Sequence, residues 1–169
     1  MGKVAIVTGA SRGLGRGIAL TLAKEGGYSV HATARNGAAL KELSAEASEN
    51  ELGGVVHPYV LDQNDDAAVE QFVSIVSANE GRVDVLVNSS YGGLVAIAPH
   101  FGKPFWERPT AVFDDAMNIG VRSSYVMSKF VAPIMVGQKE GLIIQTSSLG
   151  SFIYAFDVAY GVAHAGMDK

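Results

Sequence analysis

Thr8-Gly-Ala-Ser-Arg-Gly-Leu-Gly15 follows the apolar run Lys3-Val-Ala-Ile-Val7 and precedes Arg16-Gly-Ile-Ala-Leu-Thr-Leu22, whose apolar residues recur with helical period. A strand, a glycine-rich turn and a helix start are thus joined without a spacer. Gly9 permits a sharp turn, Gly13 leaves no Cβ in the way of a pyrophosphate, and Gly15 lets the helix pack close to the strand. Exposed N–H groups of Ser11, Arg12 and Leu14, with the positive end of the helix dipole, then point at the anion. A glycine pattern alone is weak evidence, so the rest of the chain has to carry the reading.

Outward from this turn, short apolar runs alternate with longer amphipathic ones, the pattern of a parallel sheet with helices on both faces. Strands are expected over Val4–Thr8, Tyr28–Ala34, Gly54–Val60, Val83–Asn88 and Leu142–Ser147. Helices are expected over Leu14–Lys24, Ala38–Ala47, Ala67–Ser77 and Val112–Val131. The third is the clearest, with Val69, Phe72, Val73 and Val76 on one stripe. From Tyr91 to Pro109 the pairs and singles Gly92-Gly93, Pro99, Pro104 and Pro109 break every period, and an irregular excursion over the site mouth is expected.

The chain has 169 residues, 48% of them hydrophobic, which suits one globular domain, 1–169, able to bury about 70% of its unfolded surface. Its net charge of −4 offers no basic field for nucleic acid or an anionic membrane. The lack of cysteine excludes disulfides and thiol catalysis and fits a reducing, intracellular and cytoplasmic compartment. Apolar runs are strand-sized and Met1-Gly-Lys lacks a signal-peptide pattern, so no transmembrane segment is expected. No metal ligands are assigned.

The spacing T-G-x-x-x-G-x-G resembles the short-chain dehydrogenase/reductase family, and later segments match that family in order. Val83-Asp-Val-Leu-Val-Asn88 is similar to its fourth strand, Asn118 falls at its helical asparagine, Ser147 at its catalytic serine and Tyr160 at its catalytic tyrosine. Lys103-Pro-Phe-Trp-Glu107, Phe113-Asp-Asp-Ala-Met-Asn-Ile-Gly120 and Tyr160-Gly-Val162 resemble one subgroup within it. The resemblance implies a Rossmann-type, doubly wound parallel α/β sheet. It runs to Lys169 but leaves the family fold incomplete at the C-terminus, because two more strands and a helix are implied beyond that residue. On this reading the chain is truncated, the fifth strand is an exposed edge and half of the nicotinamide pocket is open.

After the second strand an NAD enzyme places an acid on the ribose hydroxyls, whereas Thr33-Ala-Arg35 offers a cation. With Arg12 in the glycine turn, two guanidiniums are available to grip a 2′-phosphate, which favours NADP over NAD. The alternative leaves Arg35 as a solvated loop charge. The resemblance places Asp62 at the adenine amino group, although a post-strand aspartate also serves as a helix cap. It places Asn88 at the asparagine linking the fourth strand to its neighbours. Ser89-Ser-Tyr-Gly92 departs from the family pattern on the nicotinamide side.

Reducing a ketone needs hydride at carbon and a proton at oxygen, and a tyrosine supplies that proton when its pKa is brought down from about 10. The resemblance gives Ser147 the carbonyl oxygen, Tyr160 the proton, and Asn118 a relay water. A buried asparagine bending a helix is the alternative for Asn118. Four residues after Tyr160 the family has a lysine that holds the nicotinamide ribose and favours the tyrosinate, and here that position is His164. Histidine is shorter and mostly neutral at pH 7, so a permanent charge is lost. A structural filler of the lysine site is weighed above a catalytic role for it. Lys169 lies about 180° further around an ideal helix and is no substitute.

Two function classes stay open. One is an NADP-dependent oxidoreductase, a carbonyl reductase acting on small-molecule carbonyl or alcohol substrates. The other is a catalytically inactive nucleotide-binding or interaction module. The resemblance further implies a homo-oligomer at full family length, and association with the endoplasmic reticulum as an alternative location.

Overall fold

A computed structural model describes residues 2–49 and 53–169; Met1 and residues 50–52 of the expected domain lie outside the described residues. Five strands, β1 (Val4–Thr8), β2 (Ser29–Ala34), β3 (Val55–Val60), β4 (Val85–Asn88) and β5 (Leu142–Gln145), form one parallel sheet in the order β3-β2-β1-β4-β5. The helices are α1 (Gly13–Lys24), α2 (Gly37–Ser48), α3 (Asp66–Glu80), α4 (Gly93–Ile97), α5 (Ala111–Ala116), α6 (Ser123–Gln138) and α7 (Val158–Met167). The chain is a Rossmann-type α/β sheet with helices on both faces. None of its described helices is long and apolar enough to cross a membrane.

Strand β1 shows why the sheet is buried twice over. Val4 and Ile6 enter one core with Phe72 and Val76 of α3 and Met127 and Val131 of α6. Ala5 and Val7 enter the other with Ala19 and Ala23 of α1 and Leu40 and Leu43 of α2. All five of its residues are buried, as a continuous apolar strand covered on both faces should be. The stripe Val69, Phe72, Val73 and Val76 is the buried face of α3, as its period implied. That helix is started by Asp65, whose Oδ1 accepts from Ala68 N–H at 3.0 Å, and stopped by Gly81 at φ 71°.

β2 and β3 lie on one side of β1, and β4 and β5 on the other, so the loops leaving the carboxyl ends of β1 and β4 diverge and open a crevice. Buried Thr8 ties these loops together, its Oγ1 accepting from the N–H groups of Ser89 at 2.9 Å and Ser90 at 3.1 Å. Among the described strands β5 pairs with β4 alone, and Leu142, Ile143 and Ile144 are exposed along it.

The expected helix Val112–Val131 is longer and interrupted. α5 passes into a π-helical turn, Met117–Arg122, before α6 continues through Pro133 to Gln138. In the widened turn Ser123 Oγ donates to the Ile119 carbonyl at 2.7 Å and Ser124 Oγ to that of Gly120 at 2.8 Å. Side chains thereby satisfy carbonyls that a regular α-helix would satisfy by backbone. The irregular stretch from Tyr91 to Pro109 contains α4 and two 3-10 turns, Ala98–His100 and Phe105–Glu107.

Candidate active site

The glycine turn has the shape its sequence demands. Gly9 sits at φ 67°, and a Cβ there would stand 2.7 Å from the Ser89 carbonyl oxygen. A Cβ at Gly15 would meet the Gly9 carbonyl oxygen at 2.6 Å, so the helix is as close to the turn as backbone permits. Gly13 is the contrast, with nothing within 4 Å of its Cβ position. Two glycines are thus required for packing, and the third faces open space at the start of α1. No side chain caps that helix, whose N-cap is Arg12. An uncapped helix N-terminus beside open space is a cradle for an anion, and it fits the pyrophosphate of a dinucleotide.

Ser11 is half-buried beside this cradle, and Leu14 is exposed over it. Arg12 and Arg35 are both exposed and enter no ion pair among the described residues, whereas Arg16 and Lys24 share Glu46. Asp62 is exposed, and its Oδ1 accepts from Asn64 N–H at 3.0 Å. Next to it Gln63 is buried, donating to Thr33 Oγ1 at 3.3 Å while its own Oε1 has no partner among the described residues. Asn88 is buried and links strand to helix, its Nδ2 donating to Ser128 Oγ at 3.0 Å. Its carbonyl accepts from Thr146 N–H at 3.0 Å and so joins β4 to the end of β5.

Tyr160 projects from the first turn of α7, where Asp157 caps the helix through Ala159 N–H at 2.6 Å. Its hydroxyl donates to Ser148 Oγ at 2.7 Å. Ser147, the residue the resemblance pointed to, is exposed and hydrogen-bonded to the Asp168 carboxylate, which that contact and one from Ser151 hold below the usual carboxylate range. The reason is local. Beyond β5 the two serines lie on extended chain, where neighbours point to opposite sides. The structure therefore brings Ser148 to Tyr160 and turns Ser147 away.

Asn118 is not brought to Tyr160 either. It is exposed and lines an outer cleft with Asp62, Asp66, Asp115 and Arg122. From the same stretch Val112, Ala116 and Val121 pack in the cluster with Tyr160, and Gly120 is buried where a Cβ would stand 3.1 Å from the Tyr91 ring. Asn118, placed by the resemblance, lies inside the π turn Met117–Arg122.

His164 is 6% exposed, with its ring 4.3 Å from Tyr160 and 4.7 Å from Tyr91, centroid to centroid. Among the described residues neither ring nitrogen has a hydrogen-bond partner, and the Tyr91 hydroxyl beside it has none. Burial pushes the His164 pKa down, against a smaller upward pull from Asp168, and burial drives that of Tyr91 strongly up. The group in the expected lysine position is therefore a neutral imidazole between aromatic rings. The folded pKa lies below the unfolded value near 6.5, so at lower pH the unfolded chain takes up a proton that the folded chain resists, and stability falls. Thermal melts should show a lower midpoint at pH 5.5 than at pH 7.5, with a smaller difference in His164→Leu. An unchanged difference in that variant would remove His164 from the pH response.

A tie that the sequence did not announce anchors this end of the molecule. Arg108 and Asp157 form an ion pair with side chains only 6% and 4% exposed. Arg108 also donates to the carbonyls of Lys103, at 2.9 and 2.7 Å, and Phe156, at 3.1 Å. The segment before α5 is thereby fastened to the start of α7, one turn from Tyr160.

A family profile described as short chain dehydrogenase matches residues 3–169. Dehydrogenase/reductase SDR family member 1 of Homo sapiens is 43% identical over 99% of this chain, which covers 53% of that relative. The chain spans about half the length of the curated relatives it matches at this level. Among solved structures, a metagenomic short-chain oxidoreductase in complex with NADP superimposes with a TM-score of 0.83 at 31% identity, over 98% of this chain and 72% of that one. NAD+-bound xylitol dehydrogenase gives 0.85 at 29% identity, over 98% of this chain and 60% of that one. With its parallel sheet, glycine turn and tyrosine-bearing helix matched from end to end, this chain belongs to the short-chain dehydrogenase family.

Proposed function

We propose that the chain binds a nicotinamide dinucleotide, with preference for NADP, at the turn Gly9–Gly15 and serves an oxidoreductase acting on carbonyl or hydroxyl groups of small molecules. The observation that carries the reading is the uncapped cradle at Gly13, open where a Cβ would stand, with Arg12 as its N-cap residue and Arg35 just past the end of β2 both exposed and in no ion pair among the described residues. Backbone N–H groups of the turn hold the pyrophosphate, and Arg12 and Arg35 take the 2′-phosphate. The cofactor, when bound, supplies or accepts the hydride. Tyr160 holds the proton at its hydroxyl, and Ser148 Oγ, already 2.7 Å from it, shares the substrate oxygen. Exposed Phe156, its ring 5.2 Å from that of Tyr160, offers an apolar rim to the substrate.

Nucleotide choice tests the reading. Arg35→Asp should remove one charge-assisted phosphate contact, about 1.5–3 kcal/mol, and weaken NADP roughly tenfold to hundredfold in a calorimetric titration while sparing NAD. Equal losses for both nucleotides would place Arg35 outside the 2′-phosphate site.

A second reading, a nucleotide-binding module without catalysis, is favoured by one observation: the neutral, buried imidazole of His164 at the position where the family carries a lysine. The two part on hydride transfer. With NADPH and a panel of small apolar ketones the first gives loss of nicotinamide absorbance, and the second gives binding alone.

A further inference from the structure

We infer that His31, His57 and Glu80 form a binding site for a divalent first-row transition metal ion of the zinc class. The ligand atoms of these three residues lie within 4.8 Å of one another. Strand register makes the pair: His31 of β2 stands opposite His57 of β3, and the rings stack with centroids 4.9 Å apart. Both side chains fall on the α3 face of the sheet, because their neighbours Val30 and Val56 enter the opposite core with α1 and α2. Glu80, the last residue of α3, closes the group, its Oε1 2.9 Å from His31 Nε2 and accepting from Ser29 Oγ at 2.7 Å.

The placement of Glu80 is a second, independent pointer. A helix C-terminus carries partial negative charge and favours cations in its last turn, yet α3 ends on a carboxylate with no basic residue in that turn. A cation held between Glu80 and two imidazoles reverses this cost. Two histidines and one carboxylate form a donor set for zinc and its neighbours, with remaining positions left to water. Tetrahedral coordination at about 2.0–2.1 Å sets ligand atoms roughly 3.3 Å apart. His31 Nε2 and Glu80 Oε1 are near that separation already, and the exposed ring of His57, with its ligand atom within 4.8 Å of theirs, has to move closer to complete the set. Ser29 Oγ donates to the same carboxylate oxygen that faces His31 Nε2 and so fixes how the carboxylate is turned.

The site is separate from the glycine cradle. His31 lies within β2, and Glu80 sits where the chain turns back toward the amino end of β4, whereas the cradle lies beyond the carboxyl end of β1. A bound ion would join β2, β3 and α3 at the end of the sheet remote from nucleotide.

The test is a zinc titration of the 169-residue chain against a chromogenic chelator, with cobalt(II) as spectroscopic probe. The expected result is one zinc per chain, a rise of the thermal midpoint in zinc, and visible cobalt bands of four- or five-coordinate strength. His57→Ala, at an exposed position, and Glu80→Gln should each weaken zinc at least about tenfold with the metal-free midpoint little changed. Unaltered affinity in both variants, or uptake no greater than that of the double variant, would overturn the site.

Discussion

Replacing Arg108 with alanine is expected to cost about 3–5 kcal/mol of folding stability, because it leaves the Asp157 carboxylate buried without its cation. Both side chains are nearly inaccessible, so solvent screens the pair little. The loss should fall first on the contact between residues 103–109 and α7, since Arg108 also satisfies the carbonyls of Lys103 and Phe156. Domains of this size have about 5–15 kcal/mol in total, so the variant sits near the threshold of unfolding. Urea denaturation should show the midpoint falling steeply, and Arg108→Ala combined with Asp157→Asn should recover part of the loss. A single variant within about 1 kcal/mol of the parent would show the pair to be solvated and the anchoring of α7 to lie elsewhere.

Gly150→Ala is expected to displace Tyr160. The added methyl would stand 2.3 Å from ring atom Cε1 of Tyr160 and 2.6 Å from Cδ1. The ring has little room to retreat, with His164 at 4.3 Å, Phe156 at 5.2 Å and Tyr91 at 5.7 Å between centroids. Overpacking of this kind costs about 1–3 kcal/mol, and the sharper effect is geometric. The hydrogen bond from Tyr160 to Ser148 should be broken, and any hydride-transfer activity should drop by more than about tenfold, since misplacing a reacting group by an ångström is costly. Tyr160 ring resonances identical to those of the parent would show that the backbone at Gly150 yields instead.

The sheet was legible because its central strands β1, β2 and β4 are buried and its turns are punctuated by glycine. β1 and β3 begin within a residue of expectation and end on it, and the periodic stripe of α3 faces the core. The site was legible in part. Tyr160 and the glycine turn depend on local chain geometry, and local geometry is what spacing encodes. Ser148, Gly120 and Arg108 depend on direction: which of two adjacent serines points inward, how a π turn rotates a helix face, and which distant carboxylate a loop arginine meets. Gly120 had a signal, since a glycine within a helix pattern often marks a close approach, here by Tyr91. The buried partners of Arg108 and the stacked pair of His31 and His57 had none, because long-range pairing and strand register are properties of the folded chain.

The central claim is that the turn Gly9–Gly15 holds a nicotinamide dinucleotide, and the most direct measurement is an NADP titration followed by backbone amide resonances. The account predicts saturable one-to-one binding in which the amides of Gly13, Leu14 and Gly15 shift most, with Arg12 and Arg35 next, while those around His57 and Glu80 stay in place. A folded chain that binds no NADP, or one that saturates with the turn amides unmoved, would contradict it.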